Sequence, residues 1–181
     1  MRDKFQIVFN RLKEVKLDEN ILCRPFWKKI LQLQENFNEQ DCWSLLTENI
    51  SWLLKAKDFF GIDTEILTTS ELIDWFTEKE LNAQGIYSKG DHHLSNTQVI
   101  GIGDVYLDID GHSEVTLFDK AHANCGDTTF VKGYDNTSFV VNDCIGNAFE
   151  NCEAEAVGIS IVENWSKNEI KKGKNCNVVN R

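Results

Sequence analysis

The feature that most constrains the fold of this chain is an eight-residue period that begins at Ser95. Read in blocks of eight, the chain gives SNTQVIGI, GDVYLDID, GHSEVTLF, DKAHANCG, DTTFVKGY, DNTSFVVN, DCIGNAFE and NCEAEAVG. Each block begins with a turn-forming residue, and four consecutive blocks begin with Asp119, Asp127, Asp135 and Asp143. Because an aspartate side chain can accept a hydrogen bond from the backbone two residues on, we expect Asx turns at these positions.

Positions five and seven of most blocks are apolar or small, which is the alternation of a strand with one buried face. An eight-residue unit cannot bury its own apolar face, so the units must stack on one another. The pattern predicts a β-solenoid with two or three octapeptides in each coil, and a plain antiparallel sandwich is the alternative. Position five is polar at Asn147 and Glu155, which indicates an irregular last coil. The residues we expect to be buried are Leu107, Val115, Val131, Phe139 and Val141.

The first 85 residues carry helical signals, so we predict an α+β protein with a helical N-terminal part. Apolar residues at three- and four-residue spacing predict one helix from Phe5 to Val15, although the run Phe5 to Phe9 is also compatible with a strand. Pro25 fits the first turn of a second helix. Asp41 fits the N-cap of a third helix, which should end before Gly61.

Two capping boxes are the clearest local signals in the helical part. Thr68 with Glu71 and Thr77 with Glu80 have the required three-residue spacing, and Gly85 fits a helix C-terminus. Four of the five tryptophans also lie in this part of the chain. We expect them to be core residues or, for one or two of them, exposed anchors for a partner.

Charge is distributed unevenly along the chain, whose formal net charge is −10. Residues 95–158 carry 11 acidic and 2 basic residues, whereas residues 159–181 carry 2 acidic and 5 basic residues. An acidic surface of this kind repels bare nucleic acid and attracts basic proteins. We therefore predict a helical domain over 1–85, a connecting turn over 86–94, an acidic octapeptide solenoid over 95–160 and a basic C-terminal tail over 161–181.

The acidic repeats and the basic tail supply the candidate partner-binding residues. The run Lys171-Lys172-Gly173-Lys174 is typical of a contact with RNA or with an acidic surface, and a solvated end of the chain is the alternative. The complete set of candidates is Asp104, Asp108, Asp110, Glu114, Trp165, Lys171, Lys172 and Lys174.

Motifs of known chemistry are missing from the sequence, which has no P-loop, GxGxxG, GxSxG or HExxH. The six cysteines include no CxxC pair, and we expect them to be reduced. His92 and His93 fall in a polar turn, and the aspartates at position one lack the glycines of calcium-binding nonapeptides. We therefore expect no catalysis, no bound metal and no cofactor. A signal peptide or a membrane-spanning run is also missing, so we expect a cytoplasmic protein.

The run WFTEKELNAQGIYSKGDHHLSN, followed by octapeptides such as YDNTSFVVN, resembles octapeptide-repeat proteins of bacterial prophages and mobile elements. In that family a short FTEEELN-like helix and a GIY-S/T-x-G turn precede repeats of the DNATVEAY type. The resemblance covers roughly residues 72–158. It implies a phage origin and a location in the bacterial host cytoplasm, and it brings no catalytic residues with it.

The resemblance and the acidic repeats together suggest a phage-encoded, non-enzymatic inhibitor of the anti-CRISPR type. We expect a monomer or dimer that binds a host defence protein such as a CRISPR effector nuclease through its acidic surface, with the C-terminal tail contacting guide RNA. The alternative is a structural or adhesive component of a virion or mobile element, with no inhibitory activity.

Overall fold

The computed structural model describes residues 2–15, 24–61, 63 and 65–181. It contains a helical N-terminal part followed by a solenoid of parallel β-strands, so the predicted α+β architecture is confirmed. The chain divides into two compact units, Met1–Trp75 and Phe76–Arg181. No helix among these residues is long and apolar enough to cross a membrane.

The first unit contains six helices among its described residues. They are α1 (Arg2–Glu14), α2 (Arg24–Glu35), α3 (Glu39–Glu48), α4 (Ile50–Leu54), α5 (Ala56–Phe60) and α6 (Thr69–Trp75). The segment from Phe5 to Phe9 lies in α1, and the side chains of both phenylalanines are buried. The helix interpretation of this segment is therefore correct, and the strand interpretation is wrong. The predicted third helix is divided into α3, α4 and α5, and it ends as expected at Gly61, whose φ is +62°.

The caps of two helices show where local sequence signals succeeded and failed. Thr68 and Glu71 form the predicted reciprocal capping box, with both bonds at 3.1 Å. The prediction that Asp41 is the N-cap of α3 is wrong. Asn38 occupies that position because its backbone is extended and its side chain accepts from the backbone N–H of Asp41 at 3.0 Å. Asp41 is therefore inside the first turn of the helix.

A contact between α1 and α6 joins the ends of the first unit. Both nitrogens of the Arg11 guanidinium fork donate to the Glu71 carboxylate, at 2.6 and 2.8 Å. This hydrogen bonding holds the pKa of Glu71 below its usual range. The Glu71 carboxylate therefore takes part both in the capping box with Thr68 and in an ion pair with Arg11. Trp43 is a core residue that meets the Phe5 ring edge-on.

The second unit begins with a short helix and continues as eleven strands. They are α7 (Glu78–Asn82), β1 (Ile86–Ser95), β2 (Gln98–Asp110), β3 (Glu114–Leu117), β4 (His122–Cys125), β5 (Phe130–Gly133), β6 (Ser138–Asn142), β7 (Ile145–Glu150), β8 (Glu153–Val157), β9 (Ile161–Ser166), β10 (Lys171–Lys172) and β11 (Asn177–Asn180). Thr77 and Glu80 form the second predicted capping box, at the start of α7.

Every strand pairing is parallel, and consecutive short strands alternate between two stacks. Stack A runs in the order β2, β4, β6, β8, β10, and stack B runs in the order β2, β3, β5, β7, β9, β11. The long strand β2 belongs to both, since Val99 pairs with Val115 of β3 and Leu107 pairs with Ala123 of β4. Partners are sixteen residues apart in most strand pairs of both stacks, and fifteen apart where β7 pairs with β5 and where β8 pairs with β6. Each coil therefore contains two octapeptides, which settles a point that the sequence left open.

The core of the solenoid lies between the two stacks and is formed by inward-facing side chains of both. All five residues predicted to be buried there are at most 1% exposed. The Phe139 ring of β6 reaches across to β7, where a Cβ on Gly146 would lie only 2.7 Å from it. Glycine at this inward position makes room for the ring.

Two segments outside the predicted repeat belong to the solenoid. Residues 86–94 were predicted to be a connecting turn, but they form most of β1 and pair with β2, because Tyr87 and Leu94 pack against the solenoid core. Residues 161–181 were predicted to be a tail, but they contain β9, β10 and β11. Val162 and Ile170 are buried in the same core, so this segment is a further part of the solenoid and its basic residues lie on the solenoid surface.

The apparent irregularity at the end of the repeat is a shift in register. The turn aspartates Asp119, Asp127, Asp135 and Asp143 all have φ between 55° and 60°. The next residue with this left-handed backbone is Glu150, only seven residues after Asp143. The unit that begins at Asp143 is therefore a residue short. Its strand buries Ala148, and the next strand buries Ala154 and Ala156. The polar residues Asn147 and Glu155 are outward residues of regular strands, and the irregularity that they indicated is this one-residue shortening of the coil.

Candidate binding faces of the solenoid

The turn aspartates form hydrogen bonds between coils. Asp127 accepts from the backbone N–H of Gly111 at 3.3 Å, Asp135 accepts from that of Asp119 at 3.2 Å, and Asp143 accepts from that of Ile159 at 2.6 Å. These bonds connect residues sixteen positions apart, which differs from the Asx turns that we expected. Across the described parts of the chain, no group of three or more His, Cys, Asp and Glu side chains is placed to hold a metal ion.

The outward side chains of stack A form an acidic face, to which the corresponding part of β1 contributes. Outward and buried residues alternate along the second half of β2 and along β8, as the pleat of a strand requires. This face carries five acidic residues and one basic residue on its strands, a net charge of −4. Its charged members are Asp91, Asp108, Asp110, Glu153, Glu155 and Lys171.

Two of the predicted partner-binding residues, Asp108 and Asp110, lie together on the acidic face beside His93. The Nδ1 atom of His93 is 3.0 Å from an Asp108 oxygen, and its Nε2 atom is 3.7 Å from an Asp110 oxygen. Asn124 donates to the other Asp108 oxygen at 3.1 Å. Most of the acceptor capacity of Asp108 is thus used within the solenoid.

A groove of about 450 Å³ opens on the acidic face beside β6 and β8. Glu153, Glu155 and Glu169 line it together with Lys171, and Val140 contributes apolar surface. Among the residues that the structure describes, no basic side chain lies within salt-bridge distance of these three glutamates. The groove therefore concentrates carboxylates that are exposed to an incoming cation.

His122 and Ser138 meet on the wall of this groove, with 2.6 Å between Nδ1 and Oγ. Burial lowers the pKa of His122, which favours the neutral ring in this contact. The pair could not be predicted from the sequence because its two residues lie on neighbouring coils. His112 contacts Thr128 across the same sixteen-residue separation, so we interpret both contacts as part of coil stacking.

The outward side chains of stack B form a different surface, which we call the apolar face. Ile145 and Ile161 pair in register on β7 and β9 and are 47% and 43% exposed. Phe130 precedes them on β5 in the same register. A second row places Phe149 beside Trp165, whose side chain is 51% exposed. The apolar face is thus defined by Phe130, Ile145, Phe149, Ile161 and Trp165.

The charges beside the apolar face are paired with one another. Lys132 lies 3.1 Å from Glu114, and Arg181 lies 2.8 Å from Glu163. The hydrogen bond from Arg181 holds the pKa of Glu163 below its usual range. Arg181 also lies over the Trp165 ring, 5.9 Å from its centroid. These two pairs leave the outward side of stack B with no net charge.

The eight predicted partner-binding residues do not form one site. Asp108, Asp110 and Lys171 lie on the acidic face, whereas Glu114 and Trp165 lie on stack B. Asp104 is exposed near the middle of β2, Lys172 is exposed in the edge strand β10, and Lys174 is exposed between β10 and β11. Sequence reasoning missed Glu153, Glu155 and Glu169. The alternation of Glu153 and Glu155 with buried alanines becomes visible only when the unit that begins at Asp143 is counted as one residue short.

Comparisons with known proteins gave no relatives for this chain. No protein-family model, no curated protein and no solved structure matches it. The resemblance to phage octapeptide-repeat proteins therefore stays a prediction.

Proposed function

We propose that this chain is a non-enzymatic binding protein that presents its acidic face to a positively charged partner. The observation that carries the proposal is the groove beside β8, where Glu153, Glu155 and Glu169 have no basic side chain within salt-bridge distance among the described residues. Carboxylates gathered in a concave surface attract cationic side chains over a distance and pair with them on contact. Binding should therefore be fast and should weaken as salt is added.

The partner that we propose is a host defence protein with a basic channel for nucleic acid, such as a CRISPR effector nuclease. The resemblance to phage proteins supports this choice, and so does the charge of the acidic face. Such channels are positively charged because they hold a nucleic acid backbone. A stack of parallel strands repeats its outward side chains about every 4.8 Å, which gives the extended negative surface that occupying a channel requires. The chain would then act as an anti-CRISPR-type inhibitor.

The basic residues near the end of the solenoid have a separate role in this proposal. Lys171 lines the acidic groove, and Lys172 and Lys174 are exposed farther along the chain. We expect them to contact the guide RNA while the carboxylates contact protein. Replacing Lys172 and Lys174, which do not line the groove, by glutamine should then lower the salt dependence of binding to the RNA-loaded nuclease and leave binding to the RNA-free nuclease intact.

The experiment that tests the proposal is a pull-down from a CRISPR-bearing host, followed by a DNA cleavage assay with the recovered nuclease. We expect the chain to recover an effector complex and to abolish cleavage. The double variant Glu153→Gln/Glu155→Gln should inhibit at least about tenfold less well at low salt. Its matched control is Glu35→Gln/Glu65→Gln, which changes the net charge equally at exposed positions of the first unit.

A second function is favoured by the apolar face, since exposed apolar surface on a solenoid suits assembly into larger structures. In that case the chain is a structural or adhesive component of a virion or mobile element. Size-exclusion chromatography distinguishes the two, because a structural component should form trimers or larger assemblies. Intact cleavage and co-purification with virions would contradict the inhibitor proposal.

A further inference from the structure

The apolar face is unusual for the surface of a chain with a net charge of −10. Two isoleucines, Ile145 and Ile161, stand in adjacent rungs and are each exposed by more than two fifths. Trp165 is half exposed on the same strand as Ile161. Phe130, Ile145 and Ile161 form one apolar row across adjacent strands, and a row with Asn147 and Glu163 separates it from Phe149 and Trp165. Exposed apolar residues grouped in this way cost free energy in water and commonly mark a site of protein association.

The charge pattern of the face indicates what it associates with. Two copies of this chain repel each other because each is strongly acidic. The repulsion is weakest where local charge is cancelled, and the apolar face meets this condition through Glu114 with Lys132 and Glu163 with Arg181. A strongly charged partner would gain no electrostatic attraction there. The surface thus suits a second copy of the same chain, with the acidic faces directed away from the contact.

We propose that the apolar face binds a second copy of this chain about a two-fold axis. A two-fold contact requires a surface that is complementary to itself. Ile145 and Ile161 satisfy this requirement because they are the same residue type in adjacent rungs, about 4.8 Å apart. An axis between them places Ile145 of one copy against Ile161 of the other. Trp165 lies beside this contact and supplies a large, half-exposed ring, the kind of side chain that dominates many interfaces.

Salt dependence separates this contact from the binding proposed for the acidic face. Adding salt screens the repulsion between two acidic molecules and leaves an apolar contact in place. Dimer formation should therefore strengthen as salt is added, whereas binding of a basic partner should weaken. The two proposals can fail independently, because one depends on stack B and the other on stack A.

Sedimentation equilibrium of the full chain, from about 1 µM to about 1 mM, tests the proposal over the range of weak to moderate affinities. We expect a reversible monomer–dimer equilibrium that shifts toward dimer at high salt. Ile161→Asp should raise the dimer dissociation constant at least about tenfold, because it introduces an unpaired charge at the contact. Ile73→Asp is the matched control, since Ile73 is 41% exposed on α6, and it should leave the equilibrium unchanged. Circular dichroism checks that both variants are folded.

A crosslinking variant gives a result that does not depend on destabilising the contact. When a chain with Ile145→Cys is mixed with a chain with Ile161→Cys, mild oxidation should yield a disulfide-linked dimer of one with the other, whereas Ile73→Cys should yield none. A monomer at every concentration and salt level would overturn the proposal. A trimer or larger species would overturn the two-fold contact, as would equal dissociation constants for Ile161→Asp and Ile73→Asp.

Discussion

The two faces of the solenoid share one interior and differ almost completely in their exteriors. Strands β7 and β8 are consecutive in the chain and both bury alanines, yet β7 directs Ile145 and Phe149 outward on stack B, whereas β8 directs Glu153 and Glu155 outward on stack A. Consecutive octapeptides alternate between the stacks, so a continuous stretch of sequence contributes residues to both faces. The net charge of such a stretch therefore does not give the charge of either face. The inward positions specify the fold, and the outward positions are free to specify two different surfaces.

The largest loss of stability should follow from placing a charged residue at an inward position. Val131→Asp should reduce the free energy of unfolding by several kcal/mol, because it buries an unpaired charge in the core between the stacks. Asn147→Asp introduces the same group at an outward position and should change the free energy of unfolding by about 0.5 kcal/mol or less. Urea denaturation of both variants checks this. Equal destabilisation would contradict the assignment of inward and outward positions.

A smaller effect should follow from changing a turn that passes the chain from stack A to stack B. Asp143 has a φ of +60°, and its carboxylate accepts from the backbone N–H of Ile159. Asp143→Ala should cost about 2 kcal/mol, since it loses the hydrogen bond and strains the left-handed backbone. Asp143→Gly should cost about 1 kcal/mol, because glycine adopts this backbone without strain. Thermal or urea unfolding gives the free energy of unfolding of each variant. A larger loss of stability in Asp143→Gly than in Asp143→Ala would contradict the prediction.

The smallest effect concerns pH and the half-buried His122 on the acidic face. Burial lowers the pKa of His122 in the folded state, so the unfolded chain binds the proton more readily. The stability from this group is present above the unfolded pKa, about 6.5, and is lost as the pH falls through the lowered folded value. Unfolding midpoints at about pH 7.5 and 5.5 should therefore differ more in the wild type than in His122→Asn. The variant His112→Asn, in an exposed turn, should retain the wild-type difference.

Much of the fold could be predicted from the sequence because its determinants are local. Alternation identified Val131 and Phe139 as core residues, and turn-forming residues marked the ends of the strands. The faces could not be predicted, because they depend on how many octapeptides form a coil and on a unit that is one residue short before Glu150. The pair of Glu163 with Arg181 likewise joins residues eighteen positions apart, through a register that only the paired strands reveal.

Side-by-side titration of one cationic peptide into two variants tests whether the two faces have separate roles. The probe is octaarginine, added at low salt to Glu153→Gln/Glu155→Gln and to Ile161→Asp, with binding measured by calorimetry and self-association by sedimentation. We predict that the first variant loses most peptide affinity and still forms dimers. The second should bind peptide like the wild type and remain monomeric. If both variants lost the same property, or if neither lost any, the assignment of separate roles to the acidic and apolar faces would be contradicted.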